Sequence, residues 1–165
     1  MLSFILYEAG QAALQAHFAR CGIDCEVASE PSGWYRCDYR LPVPAPRLLV
    51  VVADTAGPRR LKACLQALQR QRYPAMEIVV ADAKAGINLA DACNLAISAA
   101  DAEVVAVVDA RCTLRTDDAL QALVARACLP GAGAVGVKLL STRGRIVGNA
   151  QLLGTDSGYS PLAEG

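Results

Sequence analysis

Apolar positions between residues 47 and 130 alternate between continuous runs and stripes with helical spacing. Continuous valine-rich runs are typical of strands buried on both faces, whereas apolar residues at every third or fourth position are typical of helices. The runs predict strands at residues 48–53, 77–81 and 103–108. The stripes predict helices that begin at Pro58, at Asn88 and after Thr116. Strands joined by such helices imply parallel βαβ units, so the pattern predicts an α/β fold, a three-layer αβα sandwich around a mostly parallel, Rossmann-like sheet.

The third strand and the helix after it carry specific local signals. The unbroken apolar run at residues 103–108 predicts a central strand, covered on both faces. Thr116 is predicted to cap the following helix, with Asp117 and Asp118 in its first turn, where carboxylates favour the helix dipole. The apolar stripe of that helix comprises Leu120, Leu123, Val124 and Ala127.

Further strands are predicted after Pro130, which together with Gly131 is expected to end the third helix. Alternation predicts a fourth strand through Val135, Val137 and Leu139, and residues 145–153 are a candidate for a fifth. Residues 131–136 also spell the dinucleotide fingerprint G-x-G-x-x-G. That fingerprint works between a strand and a following helix, but here it follows a helix and opens a strand, so we interpret it as a flexible turn.

The first 46 residues predict a small α+β appendage. Residues 11–21 are predicted to form an amphipathic helix that ends at Gly22. Its apolar face comprises Leu14, Phe18 and Cys21. Two short strands are predicted at residues 24–28 and 34–41. The proline-rich run at residues 42–46 can continue neither a helix nor a central strand, which predicts two domains, residues 1–46 and residues 47–165.

Composition and charge exclude several classes of function. The chain of 165 residues is 54% hydrophobic and only 5% aromatic, which indicates an aliphatic core. Its 16 basic and 16 acidic side chains give a net charge of zero, so no overall field attracts nucleic acid or an anionic membrane surface. We expect no secretory signal and no membrane span, because the apolar start is short and lacks a positive region.

The seven cysteines predict free thiols and a cytoplasmic location, since they are odd in number and include no Cys-x-x-Cys pair. His17, Cys21 and Cys25 recur every four residues, but Gly22 should separate the two thiols, so we do not expect a metal site there. Three further cysteines lie on or at the end of predicted helices. We interpret Cys64, Cys93 and Cys128 as core residues on apolar helical faces.

Three aspartates lie where the predicted parallel strands should end: Asp54, Asp82 and Asp109. The crevice at the carboxyl ends of such strands is the usual place for ligand chemistry, and carboxylates there can grip a ribose, a base or a metal. The alternative for each aspartate alone is a helix cap or a turn. Together the three favour a nucleotide crevice.

The triplet 109–111 places Asp109 and Arg111 where a pair of carboxylates would hold a divalent cation against a phosphate. Arginine cannot act as that ligand, because a guanidinium only donates hydrogen bonds and is always charged. Arg111 therefore remains open to three interpretations: a phosphate ligand, a solvated loop cation, or an ion-pair partner of Asp117 or Asp118.

The order of segments resembles the family-two, nucleotide-sugar-dependent glycosyltransferases with a GT-A fold, of the bacterial O-antigen and cell-surface polysaccharide type. The resemblance runs from about residue 12 onward. It is carried by the proline-rich entry at residues 41–46 into the first strand, by Tyr73-Pro74 followed by a strand and Asp82, by the helix start at Asn88, and by residues 129–140 with 144–146.

The resemblance implies roles for these positions. Asp82 matches the acidic residue that contacts a uracil or thymine base, and Asp54 falls beside the loop that frames the base. Asp109 and Arg111 match the two ends of an Asp-x-Asp motif whose last carboxylate normally binds Mg²⁺ or Mn²⁺ on the diphosphate. The implied ligand is therefore a UDP-sugar or dTDP-sugar, and the motif is degenerate because Arg111 replaces the metal ligand.

Two hypotheses follow. In the first, the chain is a glycosyltransferase-like domain, either a fragment of a longer enzyme or catalytically impaired, in which Arg111 or Lys84 neutralises diphosphate charge. The family's general base is not identifiable in this chain, so no catalytic residue is assigned. In the second, the chain is a non-enzymatic remnant of the fold that serves as a homodimerisation or regulatory module.

Overall fold

The computed structural model of the protein describes residues 2–83, 87–148, 151–153 and 159–161. The chain forms two compact units, residues 1–130 and residues 131–165. In chain order, the elements of the first unit are α1 (Leu2–Arg20), β1 (Cys25–Ser29), β2 (Tyr35–Tyr39), β3 (Leu48–Ala53), α2 (Pro58–Gln69), β4 (Met76–Ala81), α3 (Leu89–Ala99), β5 (Val104–Asp109) and α4 (Ala119–Ala127). Those described in the second unit are β6 (Leu139–Leu140), β7 (Ile146–Gly148), β8 (Gln151–Leu153) and β9 (Tyr159–Pro161). The predicted boundary between residues 46 and 47 falls inside the first unit and stays a prediction.

A parallel sheet with strand order β4-β3-β5 forms the core of the first unit, which confirms the predicted α/β fold. Its middle strand is β3, in which all six residues are buried, because neighbouring strands cover both of its edges and helices cover both of its faces. The prediction of a central strand at residues 103–108 is wrong. Among the described residues of the first unit, β5 pairs with β3 alone, and Val105 and Val107 are 38% and 59% exposed. Apolar runs of similar composition do not encode which strand takes the middle position.

Helices pack on the two faces of β3 through opposite sets of its side chains. Val50 and Val52 belong to a core cluster with Cys64 and Leu68 of α2 and with Leu120 and Val124 of α4. Leu49 and Val51 pack on the other face, against the apolar stripe of α3. The apolar stripes predicted for α2, α3 and α4 are therefore confirmed, whereas Cys21, predicted on the apolar face of α1, lies exposed beyond the end of that helix. Each fully buried leucine or valine contributes about 1.5–3 kcal/mol relative to exposure, so the two clusters account for much of the stability of this unit.

The start of α4 is held by a tertiary contact from Gln71 rather than by the predicted cap. Helix α4 begins at Ala119, so Thr116 precedes it, and the residue at the N-cap position, Asp118, makes no side-chain capping bond. Instead Oε1 of the buried Gln71 accepts a hydrogen bond from the Leu120 amide at 3.1 Å. Nε2 of Gln71 donates to the Thr116 carbonyl at 2.7 Å. The predicted Thr116 cap is wrong because a side chain distant in sequence satisfies the helix end.

The N-terminal appendage consists of α1 and an antiparallel β1–β2 hairpin, as predicted. Helix α1 begins at Leu2, earlier than expected, and Gly22 follows it with a φ of +67°, a left-handed conformation that suits glycine. Side-chain amides of α1 satisfy the backbone of β1: Gln11 donates to the Val27 carbonyl at 2.7 Å, and Gln15 accepts from the Val27 amide at 3.0 Å. These amides cover an edge strand that would otherwise be open to pairing.

The second unit contains two antiparallel strand pairs in its described residues, β6 with β7 and β8 with β9. The predicted fourth strand is therefore wrong as drawn, since regular pairing is confined to Leu139–Leu140 and is antiparallel. Glycines at 131, 133 and 136 weaken strand formation in the preceding segment. The predicted fifth strand, residues 145–153, is divided between β7 and β8, with residues 149–150 outside the described part of the chain.

All seven cysteines lie in described residues and are free thiols. Cys64 is buried and Cys93 packs on the sheet, as predicted. The prediction that Cys128 is a core residue is wrong, because α4 ends at Ala127 and Cys128 lies exposed just beyond it. Within the described ranges there is no cluster of three or more metal-binding side chains, and no helix there combines the length and apolarity required to cross a membrane.

Replacing Gln71 by alanine is expected to lower the free energy of unfolding by about 1–3 kcal/mol, because the Leu120 amide and the Thr116 carbonyl lose a buried partner. Urea-induced unfolding followed by circular dichroism measures the change. Gln69→Ala, at an exposed position of α2, is the matched control and should stay within about 0.5 kcal/mol of the wild type. Similar small effects for both variants would show that Gln71 does not hold α4.

Candidate functional site

The three predicted aspartates lie at one edge of the sheet. Ala53 of β3 is in register with Ala81 of β4 and with Asp109 of β5, so the three strands end level. Asp54 follows β3 directly, and its backbone amide donates to the Ala81 carbonyl at 3.0 Å. Asp82 follows β4, and Asp109 is the last residue of β5. The sequence-based placement of these carboxylates at the carboxyl ends of adjacent strands is therefore confirmed.

The strand order makes this edge a topological switch point. The chain leaves β3, adds β4 on one side, and then returns to add β5 on the other side. In open α/β sheets, ligands bind at the carboxyl ends of the two strands between which the order reverses, here β3 and β5. The Thr55 hydroxyl, in the loop after β3, donates to Oδ1 of Asp109 at 2.8 Å and joins the two loops. We call Asp54, Thr55, Asp82, Asp109 and Arg111 the carboxyl-end site.

Asp109 forms a bidentate ion pair with Arg111. Nε of Arg111 donates to Oδ1 at 2.9 Å, and Nη2 donates to Oδ2 at 2.7 Å. The Arg111 backbone amide adds a third bond to Oδ1 at 2.8 Å, beside the bond from Thr55. Arg111 is thus paired with Asp109, and the alternative pairing with Asp117 or Asp118 is wrong. The reason is local: the strand ends at Asp109, and the turn brings the residue two positions later back over its carboxylate.

These bonds determine the chemistry of the Asp109 carboxylate. The side-chain hydrogen bonds from Arg111 hold the pKa of Asp109 far below its usual range, with smaller contributions from the Arg111 amide and Thr55, while partial burial opposes them. An ionised carboxylate has about four lone-pair positions, and four donors occupy Asp109. Asp109 is therefore held as an ionised anchor, with three donors on Oδ1 and one, from Arg111, on Oδ2.

The residues do not fit the divalent cation that the resemblance implied. Mg²⁺ and Mn²⁺ need free carboxylate oxygens, but those of Asp109 are engaged, and the second position of the motif carries the Arg111 cation. Within the described ranges no group of three or more His, Cys, Asp or Glu side chains is arranged to hold a metal ion. Lys84, the other cation considered for the diphosphate, lies outside the described residues.

The other two aspartates have different surroundings. Oδ1 of Asp54 accepts a long hydrogen bond, 3.4 Å, from the Ala56 amide, so Asp54 helps to shape the loop after β3. This is the turn-forming alternative considered for a single aspartate. Asp82 is half-buried at the end of β4. Their placement leaves a nucleotide-binding role as a prediction for both.

Sequence reasoning missed Thr55 and two cations near the site. Arg59 and Arg60 are exposed in the first turn of α2, which has no acidic residue there and no side-chain cap at Gly57. Neither arginine forms an ion pair within the described residues. Cations at a helix N-terminus oppose the helix dipole, so a bound anion would relieve this arrangement. The signal was present in the run Pro58-Arg59-Arg60 directly after the predicted first strand.

Comparison of the chain with protein-family models, with curated proteins and with solved structures found no match. The family resemblance noted from the sequence therefore stays a prediction. The positions of the carboxylates and arginines are therefore supported only by the structure of this chain.

Replacing Asp109 by asparagine is expected to lower the free energy of unfolding by about 1 kcal/mol near neutral pH, a modest loss because Arg111 is largely exposed. A carboxylate with a lowered folded-state pKa stabilises the fold above its unfolded pKa, and this contribution is lost as the pH falls below that value. The difference between the two proteins should therefore shrink as the pH falls below 3.8, the ordinary pKa of aspartate.

Urea titrations of both proteins from about pH 6 to about pH 2 measure this difference. The control is Asp24→Asn, an exposed position in the appendage. A difference between wild type and Asp109→Asn that stays constant over this range would contradict the ion pair described here.

Proposed function

We propose that the protein is a nucleotide-sugar-binding domain related to the GT-A glycosyltransferases of family two, which transfer a sugar from a nucleoside diphosphate to a polysaccharide or lipid-linked acceptor. The observation that carries the proposal is the level ending of three parallel strands, each with an aspartate, at a switch point of the strand order. This is the position at which α/β sheets bind nucleotides.

The architecture supports the finer assignment to the nucleotide-binding half of a GT-A fold. Helices α2 and α4 pack on one face of the sheet and α3 packs on the other, which is the arrangement of an αβα sandwich. The order β4-β3-β5, parallel throughout, provides one half-site for a mononucleotide.

Three residues of the carboxyl-end site have a direct role in this proposal. Asp82 accepts a hydrogen bond from the ring N–H of uracil or thymine, since an ionised carboxylate is only an acceptor. Asp54 shapes the loop that frames the base, and Arg111 faces the diphosphate. The proposal covers donor binding. Transfer also requires a general base to deprotonate the acceptor hydroxyl, and no described residue is assigned that role.

Isothermal titration of the whole chain with UDP and with dTDP tests the proposal. We expect binding of one or both, and we expect Asp82→Asn to weaken it by about 10-fold or more, because a charge-assisted hydrogen bond to the base is lost. The matched control is Asp101→Asn. Asp101 is an exposed aspartate that precedes β5, at the amino-terminal end of this strand and away from the carboxyl-end site. No binding of UDP, dTDP, ADP or GDP by the folded chain would contradict the proposal.

A second candidate function, an interaction module formed by two copies of the chain, is favoured by the exposed edge of β5. Within the first unit this edge has no partner strand, and Val105 and Val107 leave apolar surface beside it. Unpaired strand edges are ready sites for pairing with another chain.

Sedimentation velocity at micromolar concentration tests this second candidate. A dimer is expected for the wild type, and Val107→Lys should shift it to the monomer, because a lysine at an edge opposes strand pairing. Val43→Lys, at an exposed position outside any strand, is the control and should leave the dimer unchanged. A wild-type monomer at all concentrations would exclude this candidate.

A further inference from the structure

We infer that Arg111, positioned by Asp109, neutralises the diphosphate of the bound nucleotide in place of a divalent cation, so that binding is independent of metal. The inference rests on the proposed function. The resemblance implies a metal ion on Asp109, but the structure places hydrogen-bond donors there, including the Arg111 guanidinium.

A divalent cation would have to compete with Arg111 for the Asp109 carboxylate, because three donors converge on Oδ1 and the guanidinium bridges Oδ1 and Oδ2. Four donors hold the carboxylate, at distances between 2.7 and 2.9 Å. A metal would have to displace the guanidinium, and the released cation would then lie two residues away on the same turn and repel the metal. Metal entry would therefore break two charge-assisted hydrogen bonds and bring two cations close together, and both effects oppose it.

Arg111 retains the capacity to bind phosphate while it is paired. A guanidinium carries five N–H donors, of which Asp109 uses one on Nε and one on Nη2. Three donors, including both on Nη1, remain, and the side chain is 60% exposed. Planar donor pairs of this kind match the oxygens of a phosphate, which a lysine ammonium contacts only as a point charge.

The ion pair also reduces the entropic cost of binding. A free arginine loses rotamer freedom when it binds a phosphate, but Arg111 is already held in one orientation by two side-chain bonds and by the hydrogen bond of its own amide. Asp109 is therefore a positioning residue, and Thr55 helps to hold it from the loop after β3. Arg59 and Arg60, in the first turn of α2, add positive potential near the same loop.

The experiment compares uridine, UDP and dTDP by isothermal titration with the full chain, in EDTA and in millimolar Mn²⁺. The dissociation constant for the diphosphate should agree within about 2-fold between the two conditions. In EDTA, Arg111→Ala should weaken diphosphate binding by about 10-fold or more and leave uridine binding unchanged, because only the phosphate contact is lost. Arg111→Lys should fall between the two, since it keeps the charge and loses the planar fork.

The matched control is Arg36→Ala. Arg36 is 57% exposed and pairs with Asp38, also two residues away, but it lies in the appendage hairpin. The Arg36→Ala variant should bind UDP with the same affinity as the wild type. Asp109→Asn should weaken UDP binding by several-fold with uridine unchanged, which a purely structural role would not produce. Thermal unfolding identifies any variant that fails to fold. If Arg111→Ala fails to fold, Arg111→Lys is compared with the wild type instead.

The outcomes separate this inference from the proposed function. If UDP binds about 10-fold or more tightly in Mn²⁺ than in EDTA, the inference is wrong and the nucleotide site stands. The inference is also wrong if Arg111→Ala and Arg36→Ala behave alike. If neither uridine nor any nucleoside diphosphate binds in either condition, the proposed function fails and the inference fails with it.

Discussion

The structure of the first unit depends on the complete enclosure of β3. Its backbone is hydrogen-bonded to β4 on one side and β5 on the other, and its six side chains are buried under helices on both faces. Because side chains alternate between the faces, Val50 and Val52 pack against α2 and α4, while Leu49 and Val51 pack against α3. The parallel register then places the ends of the three strands level. The carboxyl-end site is thus a consequence of how the core packs.

At that edge, the most informative contact is internal to a three-residue turn. A carboxylate that ends a strand is usually available to a metal or a ligand, but both oxygens of Asp109 are bonded to Arg111, and Oδ1 also accepts from Thr55. The pair exchanges a metal-binding group for a positioned cation. It also joins the loop after β3 to the turn after β5, so one set of hydrogen bonds has both a structural and an electrostatic effect. We therefore propose that a guanidinium recognises the diphosphate.

Several sequence-based predictions failed where another feature of the chain overrode a local pattern. Thr116 has a good capping residue type, yet Gln71 satisfies the first turn of α4 from the loop before β4. Cys128 continues the apolar stripe of α4 in sequence, yet the helix ends one residue earlier. The alternating valines of residues 135–139 predicted a strand, but glycines interrupt them and regular pairing is confined to a short hairpin. In each case the local pattern was present in the sequence, but it did not determine where the helix or strand began or ended.

Local sequence was sufficient for the type of the first-unit elements and, apart from the start of α1, for their approximate bounds, because apolar periodicity reports directly on burial. It was also sufficient for the aspartates at the strand ends, since a polar residue that closes an apolar run marks the end of a strand. Strand order, the edge position of β5 among the described strands and the contact from Thr55 to Asp109 were decided only by tertiary structure. They depend on which surfaces meet in three dimensions, and the strands β3 and β5, with nearly the same composition, acquire different neighbours only when the helices pack.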